Sequence, residues 1–218
     1  MRITSGKARG ISLKAPRGDA TRPATDAARQ AVFSSLSDLV EGASVLDLFA
    51  GTGSYGLEAL SRGAQTAVFV ENCRGAIKCL RSNAGAVLKA IGARSGGQAE
   101  IIEADAFKTP ALCGRKFDIV FADPPYSMLL DPASAEKIFS ALARVANPGA
   151  VFALEAPAEF EPEQSGLCGK FGFEQIRRLG KKSRGKPSQI LLRVAQRGAG
   201  AQADDLLQSG RNPSEKVS

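Results

Sequence analysis

A short apolar run, Ser44-Val45-Leu46-Asp47-Leu48-Phe49, breaks directly into glycines at positions 51, 53 and 56, and a helical pattern follows. A strand that is apolar along nearly its whole length is buried on both faces, which points to a parallel sheet covered by helices. Strand and helix patterns keep alternating from residue 25 to residue 155, so the expected class is α/β, a mostly parallel sheet with helices on both faces. Thr25 is placed to N-cap a helix with apolar positions Ala28, Val32, Leu36 and Leu39. After the glycines, Leu57 and Leu60 face inward on a second helix that Gly63 stops. Thr66 to Val70 reads as the second strand, with Ile77, Leu80, Ala84, Val87 and Ile91 marking the helix behind it, and Gly92 to Gln98 as a loop. Ala99 to Glu103 and Phe117 to Ala122 are the third and fourth strands. Ile138, Leu142 and Val145 line the next helix, Asn147-Pro148-Gly149 ends it, and Ala150 to Glu155 is the fifth strand.

Three pieces differ in kind. Arg2 to Lys14 reads as two short strands around a glycine-containing turn, a small basic N-terminal β-hairpin outside the main sheet. Phe171 to Leu179 and Ser188 to Ala195 flank the basic stretch Gly180 to Pro187 as a second hairpin. From Gln196 the chain turns to Gly, Ala, Gln, Ser and Asp without apolar periodicity, the composition of a flexible tail. The expected organisation is therefore an extension over 1–24, an α/β domain over 25–195 and a tail over 196–218.

Histidine is absent from all 218 residues. That removes Ser-His-Asp and Cys-His nucleophiles, His-based metal centres and imidazole proton shuttles, leaving carboxylates, backbone groups and positioning. Cys73, Cys79, Cys113 and Cys168 have no CxxC spacing and read as reduced, mostly buried thiols, with no metal site. Every apolar stretch falls short of the roughly 18 residues of a spanning helix, and the N-terminus lacks a signal-peptide core, so a soluble cytoplasmic protein is expected. The formal charge of +7 is uneven: residues 1–30 carry a net +5, residues 170–197 a net +8, and residues 31–169 a net −5. Basic ends around an acidic body suit a polyanion gripped at the periphery and a cationic or charge-tolerant ligand at the centre, although solvated surface charge produces the same counts.

Four constellations carry chemistry. Gly51-Thr52-Gly53-Ser54-Tyr55-Gly56 is a G-x-G-x-x-G between a strand and a helix, where glycines let a ligand approach the main chain at the carboxyl edge of a Rossmann-like sheet. Glu71, eighteen residues after Gly53, ends the second strand and can accept both hydroxyl protons of a ribose. The pattern fits a dinucleotide or S-adenosyl-L-methionine (AdoMet). Asp47 favours the second, because a carboxylate beside the turn repels a pyrophosphate and attracts ammonium and sulfonium charges. Asp105 and the Ala106 amide follow the third strand, where they can meet an adenine; Asp105 can equally cap a short helix near Phe107. Phe49, Asn72 and Asp123 complete the expected cofactor contacts. Lastly, Asp123-Pro124-Pro125-Tyr126 directly follows the fourth strand. Two prolines remove two N–H donors and leave an acceptor-only cup for an exocyclic amine, held by Asp123 and the Pro124 carbonyl, with Tyr126 stacking on the ring.

Asp-Pro-Pro-Tyr is a variant of the [NDS]-P-P-[YFW] motif of amino-methyltransferases. Taken with R-I-x-x-G-x-x-R-G (Arg2, Ile3, Gly6, Arg9, Gly10), R-P-x-T-D (Arg22, Pro23, Thr25, Asp26) and D-L-F-A-G-T-G-x-x-G-L-E-A-L-S-R-G-A, it makes residues 1–195 resemble the RsmD family of bacterial small-subunit (16S) ribosomal RNA guanine-N2 methyltransferases. Ala24, Ala27 and Gln30 depart from the family's usual polar or basic residues.

The resemblance implies a Rossmann-like class I AdoMet-dependent methyltransferase fold, a 16S ribosomal RNA partner within a small-subunit assembly particle, and a monomer. The expected reaction is in-line methyl transfer to a splayed-out guanine amine, with Asp123 orienting the nitrogen and taking its surplus proton. Arg2, Lys7, Arg9, Arg22, Lys181, Lys182, Arg184 and Lys186 are the expected nucleic-acid contacts. A DNA adenine-N6 methyltransferase shares the pocket chemistry but lacks room here for a sequence-reading domain. An NAD-dependent oxidoreductase leaves Asp-Pro-Pro-Tyr without a role, and a non-catalytic RNA-binding assembly factor is compatible with every feature.

Overall fold

The computed structural model describes residues 1–16, 25–92, 97–109, 112–180 and 187–195. Among them, seven strands, β1 (Ser44–Leu48), β2 (Thr66–Glu71), β3 (Gln98–Glu103), β4 (Phe117–Ala122), β5 (Ala146–Ala156), β6 (Phe173–Leu179) and β7 (Ser188–Val194), form one sheet. Its order is β3-β2-β1-β4-β5-β7-β6. The first five strands pair in parallel, and β7 runs antiparallel between β5 and β6. Helices α1 (Asp26–Leu36), α2 (Ser54–Ser61) and α3 (Arg74–Ile91) cover one face, while α4 (Tyr126–Leu130), α5 (Pro132–Val145) and α6 (Leu167–Phe171) cover the other. Both faces of β1 and β4 are therefore buried, as their apolar sequences require. The chain runs outward from β1 through β2 to β3 and then returns to β4 on β1's other side, which opens a crevice at the carboxyl ends of β1 and β4.

Most expected elements stand where their periodicity places them. The Thr25 hydroxyl accepts from the Ala28 N–H at 3.2 Å and caps α1, and Ile77, Leu80, Ala84, Val87 and Ile91 are all buried on α3. Leu39 is an exception. The α-helix stops at Leu36 and a tighter 3-10 turn spans Ser37–Val40, which changes the angular phase, so Val40 is buried and Leu39 is half exposed. Asn147-Pro148-Gly149 does not end α5 in a free loop. Ala146 already pairs with Phe117, the next residues bulge out, and Val151 resumes pairing opposite Ile119. Pro148 lacks the N–H that uninterrupted pairing needs. Phe171 closes α6, stopped by Gly172 at φ 71°, and does not start the sixth strand. The expected burial of the cysteines holds for Cys168 alone; Cys73 and Cys113 are exposed and Cys79 is half-buried, and all four are free. Cys73 lies just ahead of α3 and Cys113 in the turn before β4, positions that face water.

The N-terminal hairpin is held by one antiparallel bridge, Arg2 with Ser12, outside the main sheet. It is nevertheless built into the core through buried Ile3, Ala8 and Leu13. Its turn lies against the end of α2 so closely that a Cβ on Gly6 would sit 1.9 Å from the Ser61 carbonyl oxygen. The Lys7 and Ala8 N–H groups donate to the Ser61 carbonyl and hydroxyl. Beneath it, fully buried Glu58 accepts from the Thr4 and Ser5 N–H groups, the Thr4 hydroxyl, and the Nε atoms of Arg29 and Arg62. No helix among the described residues is long and apolar enough to cross a membrane.

Candidate active site

The crevice beside β1 and β4 is a cleft of about 350 Å3, within the size range of small-molecule sites. Phe49 leaves β1 with a positive φ of 65°, unusual for a side chain of its size. This turn sets its ring edge-on to Phe107, 5.8 Å between centroids, as one apolar wall. The Ala50 N–H then donates to the Val70 carbonyl at 3.0 Å and ties the turn to β2.

The three glycines divide their work. Space beside Gly51 is open, whereas a Cβ on Gly53 would lie 2.3 Å from the Leu80 side chain and one on Gly56 would lie 2.3 Å from the Phe69 ring. Gly53 and Gly56 therefore let α2 pack on α3 and the sheet, and only Gly51 presents bare backbone to the cleft. Glu71 Oε2 accepts from the Gly51 N–H at 2.7 Å, and its Oε1 accepts from the N–H groups of Asn72 and Cys73. With three donors on a carboxylate that offers about four lone-pair directions, Glu71 holds the turn and has room for about one further hydroxyl. Asn83, buried on α3, braces the other side by donating to the carbonyls of Thr52 and Lys14, each at 3.0 Å.

Asp47 is 4% exposed, and its Oδ2 accepts from the Gly56 N–H at 2.9 Å. Burial pushes its carboxyl up to about 8; the Gly56 N–H only partly offsets that, and the nearby Asp123 and Glu71 carboxylates add to it. Asp105 Oδ1 accepts from the Phe107 N–H at 2.8 Å and organises a turn, without the short helix that its capping role anticipated. Asp123 follows β4, where burial first and Glu155 second push its carboxyl up to about 7. Pro124 is buried and Pro125 faces the cleft. Tyr126 stands exposed beside it, its O–H donating to Glu155 Oε1 at 3.0 Å. Glu155 Oε2 in turn accepts from Gln189 Nε2 at 2.5 Å.

Of the expected cofactor residues, Asp47, Phe49, Gly51, Glu71, Asn72, Asp105, Ala106 and Asp123 line this one cleft, and Gly53 does not. Pro125 lines it too, while Pro124 and Tyr126 flank it. Arg2, Lys7 and Arg9 are exposed on the N-terminal hairpin; Arg22, Lys181, Lys182, Arg184 and Lys186 lie outside the described residues. Sequence reasoning missed Tyr55, Glu155 and Gln189. Alternation along the strands puts Asp47, Asp123, Glu155 and Gln189 on the same sheet face, with the Tyr55 ring stacked on Phe121 at 5.0 Å. The acid ending the apolar run Val151 to Leu154 was a signal for Glu155. Nothing in the sequence marked Gln189.

The chain is similar to the Escherichia coli K12 protein named Ribosomal RNA small subunit methyltransferase D, 39% identical over 126 residues, 58% of this chain and 60% of that one. It is also 39% identical to Bacillus subtilis YlbH over 129 residues, 58% of this chain and 67% of that one. The matched region thus spans less than two thirds of the E. coli relative. Among solved structures, E. coli yhhF superposes with a TM-score of 0.67 and 26% identity over 89% of this chain and 98% of that one. The sheet order with its antiparallel end is the class I AdoMet-dependent methyltransferase fold, as the motifs implied. The resemblance to RsmD proteins is borne out as well, since the family described as Conserved hypothetical protein 95 matches over residues 1–182, and the chain belongs to that family.

Proposed function

We propose that the chain transfers the methyl group of AdoMet to the exocyclic N2 amine of a guanine in small-subunit ribosomal RNA. The observation that carries this reading is the junction of two sites in one cleft: the Asp47, Gly51 and Glu71 cradle opens onto Asp123 and Pro125. The donor supplies an electrophilic methyl carbon on a sulfonium. Asp47 keeps one oxygen on the Gly56 N–H and offers the other to a cation, Glu71 accepts a ribose hydroxyl, and Phe49 and Phe107 enclose an adenine. An aromatic amine is a poor nucleophile because its lone pair is delocalised. Asp123 and the Pro124 carbonyl draw its N–H groups into place, and Asp123 then removes the surplus proton. The E. coli relative's name supports ribosomal RNA as substrate, and the exposed Arg2 and Arg9 supply charge for its phosphates. Nucleoside mass spectrometry of small-subunit ribosomal RNA, treated with protein and AdoMet, tests the reading. N2-methylguanosine is the expected product, and its absence with a methyl group on any other nucleoside overturns it.

A protonated Asp47 in the free cleft has a consequence for donor binding. A cation settling beside it lowers its pKa, so binding releases a proton, and affinity rises with pH from 6 toward 8 and levels off above the free value of about 8. The slope has a limit of about tenfold per pH unit for one proton. Calorimetry in two buffers of different ionisation heat reads the proton release directly, and Asp47→Asn should reduce it to the share left by Asp123, which is raised to about 7 in the same cleft. A pH-independent affinity in wild type would show that Asp47 does not face the donor's charge.

A further inference from the structure

We infer that Asp123, Gln189 and Tyr55 together read the pairing edge of guanine, with Glu155 as the residue that positions Gln189; this rests on the transfer proposed above. Gln189, the second residue of β7, pairs with Glu155, is 4% exposed and lines the cleft. A carboxylate only accepts, so its 2.5 Å contact to Glu155 fixes which end of the Gln189 amide is NH2. The carbonyl Oε1 is turned the other way, where no described residue bonds it and it is not sealed off. Glu155 is itself held at its second oxygen by the Tyr126 O–H, so the amide has no easy route to flip. The cleft thereby gains a second acceptor, on β7, two strands across from Asp123.

Tyr55 supplies the complement. Its ring stacks against both Phe121 and Phe33, it is 6% exposed, and its hydroxyl is buried without a hydrogen-bond partner. It lines the same cleft. A hydroxyl sealed from water and left unpaired is costly, and a ligand acceptor is what would satisfy it. The three groups thus offer two acceptors and one donor. Guanine's pairing edge presents N2–H and N1–H as donors and O6 as acceptor, so Asp123 takes N2–H, Gln189 Oε1 takes N1–H and the Tyr55 O–H reaches O6. Adenine, with its amine on Asp123, would turn the N1 lone pair against the Gln189 carbonyl. Two facing acceptors leave both unpaired, the kind of mismatch by which polar sites discriminate most strongly.

The test uses a synthetic RNA with guanosine at the target position, located by mass spectrometry of nuclease fragments of the methylated RNA, or with 2-aminopurine at the same position. The analogue keeps the N2 amine and lacks N1–H and O6. Wild type should prefer guanine by about 100-fold or more in kcat/KM. Gln189→Leu should lower the guanine value by about 10- to 100-fold, raise that of the analogue, whose N1 lone pair no longer faces a carbonyl, and leave the AdoMet Kd within about threefold. Tyr55→Phe, which preserves the stacked ring, should narrow the same preference by about tenfold, so the reading stays testable if the Leu variant fails to fold. Glu155→Gln should narrow it too by freeing the amide to turn. A guanine preference undiminished in the folded variants overturns this inference alone. A wild-type enzyme that methylates adenine N6 overturns the proposed transfer as well.

Discussion

Asp123→Ala should retain AdoMet binding, with Kd within about threefold, and lose roughly two to three orders of magnitude in kcat, the scale seen when one preorganised polar group is removed. Asp123 stands where β4 gives way to two prolines, so its backbone is stiff and the neighbouring groups are acceptors alone. Its carboxyl is pushed up to about 7 by burial and then by Glu155. That is still far above the acidity of an anilinium-like product, so proton capture is favourable. The sign of the pH dependence follows. A proton acceptor must be ionised, so kcat rises with pH through the value Asp123 takes beside the bound sulfonium, which lies below its free value of about 7, and reaches a plateau above it. Asp123→Asn keeps the shape and one acceptor oxygen but has nothing to titrate, so its residual rate should be flat across that range. Single-turnover rates with saturating AdoMet would measure both, and a variant turning over at the wild-type rate removes Asp123 from the chemistry.

The parts of the site that were legible in advance are those where a residue type has few uses. Asp123-Pro124-Pro125-Tyr126 after an apolar strand admits few structures, because proline fixes φ and deletes a donor, and Asp123 and Pro125 do reach the cleft. Gly51 and Glu71 were legible for the same reason, although Glu71 turned out to brace the turn with three backbone N–H groups. Glycine alone did not reveal its purpose: Gly53 carries the motif but faces Leu80, a packing role that the motif spacing cannot distinguish from ligand approach. Gln189, Glu155 and Tyr55 were hidden because they lie on three separate elements. Only the pairing of β7 against β5 brings Gln189 to Glu155, and a contact between residues 34 positions apart leaves no periodic trace. The switch in phase at Leu39 is of the opposite kind, a local change from α to 3-10 geometry that moves burial by one residue.

The fold's own weak point is equally invisible in periodicity. Glu58 looks like an ordinary helix glutamate within Leu57-Glu58-Ala59-Leu60, yet it is fully buried and so is Arg29, whose Nε donates to Glu58 Oε2 at 3.5 Å. Arg29 also donates to Asp26 Oδ1 at 2.8 Å and to the Arg2 carbonyl, so one guanidinium links α1, α2 and the N-terminal hairpin. Glu58→Ala removes the acceptor for two backbone N–H groups and a hydroxyl in the hairpin and leaves a buried guanidinium short of countercharge. The expected cost is about 3–5 kcal/mol, the range for breaking a buried pair by deleting one partner. For a domain of this size that corresponds to a fall in Tm of about 10 °C. Asp26 alone does not compensate, because it is partly in water and its pairing is screened. The double substitution Arg29→Met with Glu58→Leu removes both charges together and should recover the part of the loss due to the unpaired guanidinium, while the hairpin donors stay without their acceptor. Denaturant midpoints for the three proteins would decide it. If Glu58→Ala stays within about 1 kcal/mol of wild type, a range typical of surface pairs, the buried pair does not hold the hairpin to the sheet. If the loss is as large as expected, RNA affinity should fall with it even where the sheet stays folded, because Arg2 and Arg9 lie on the segment released.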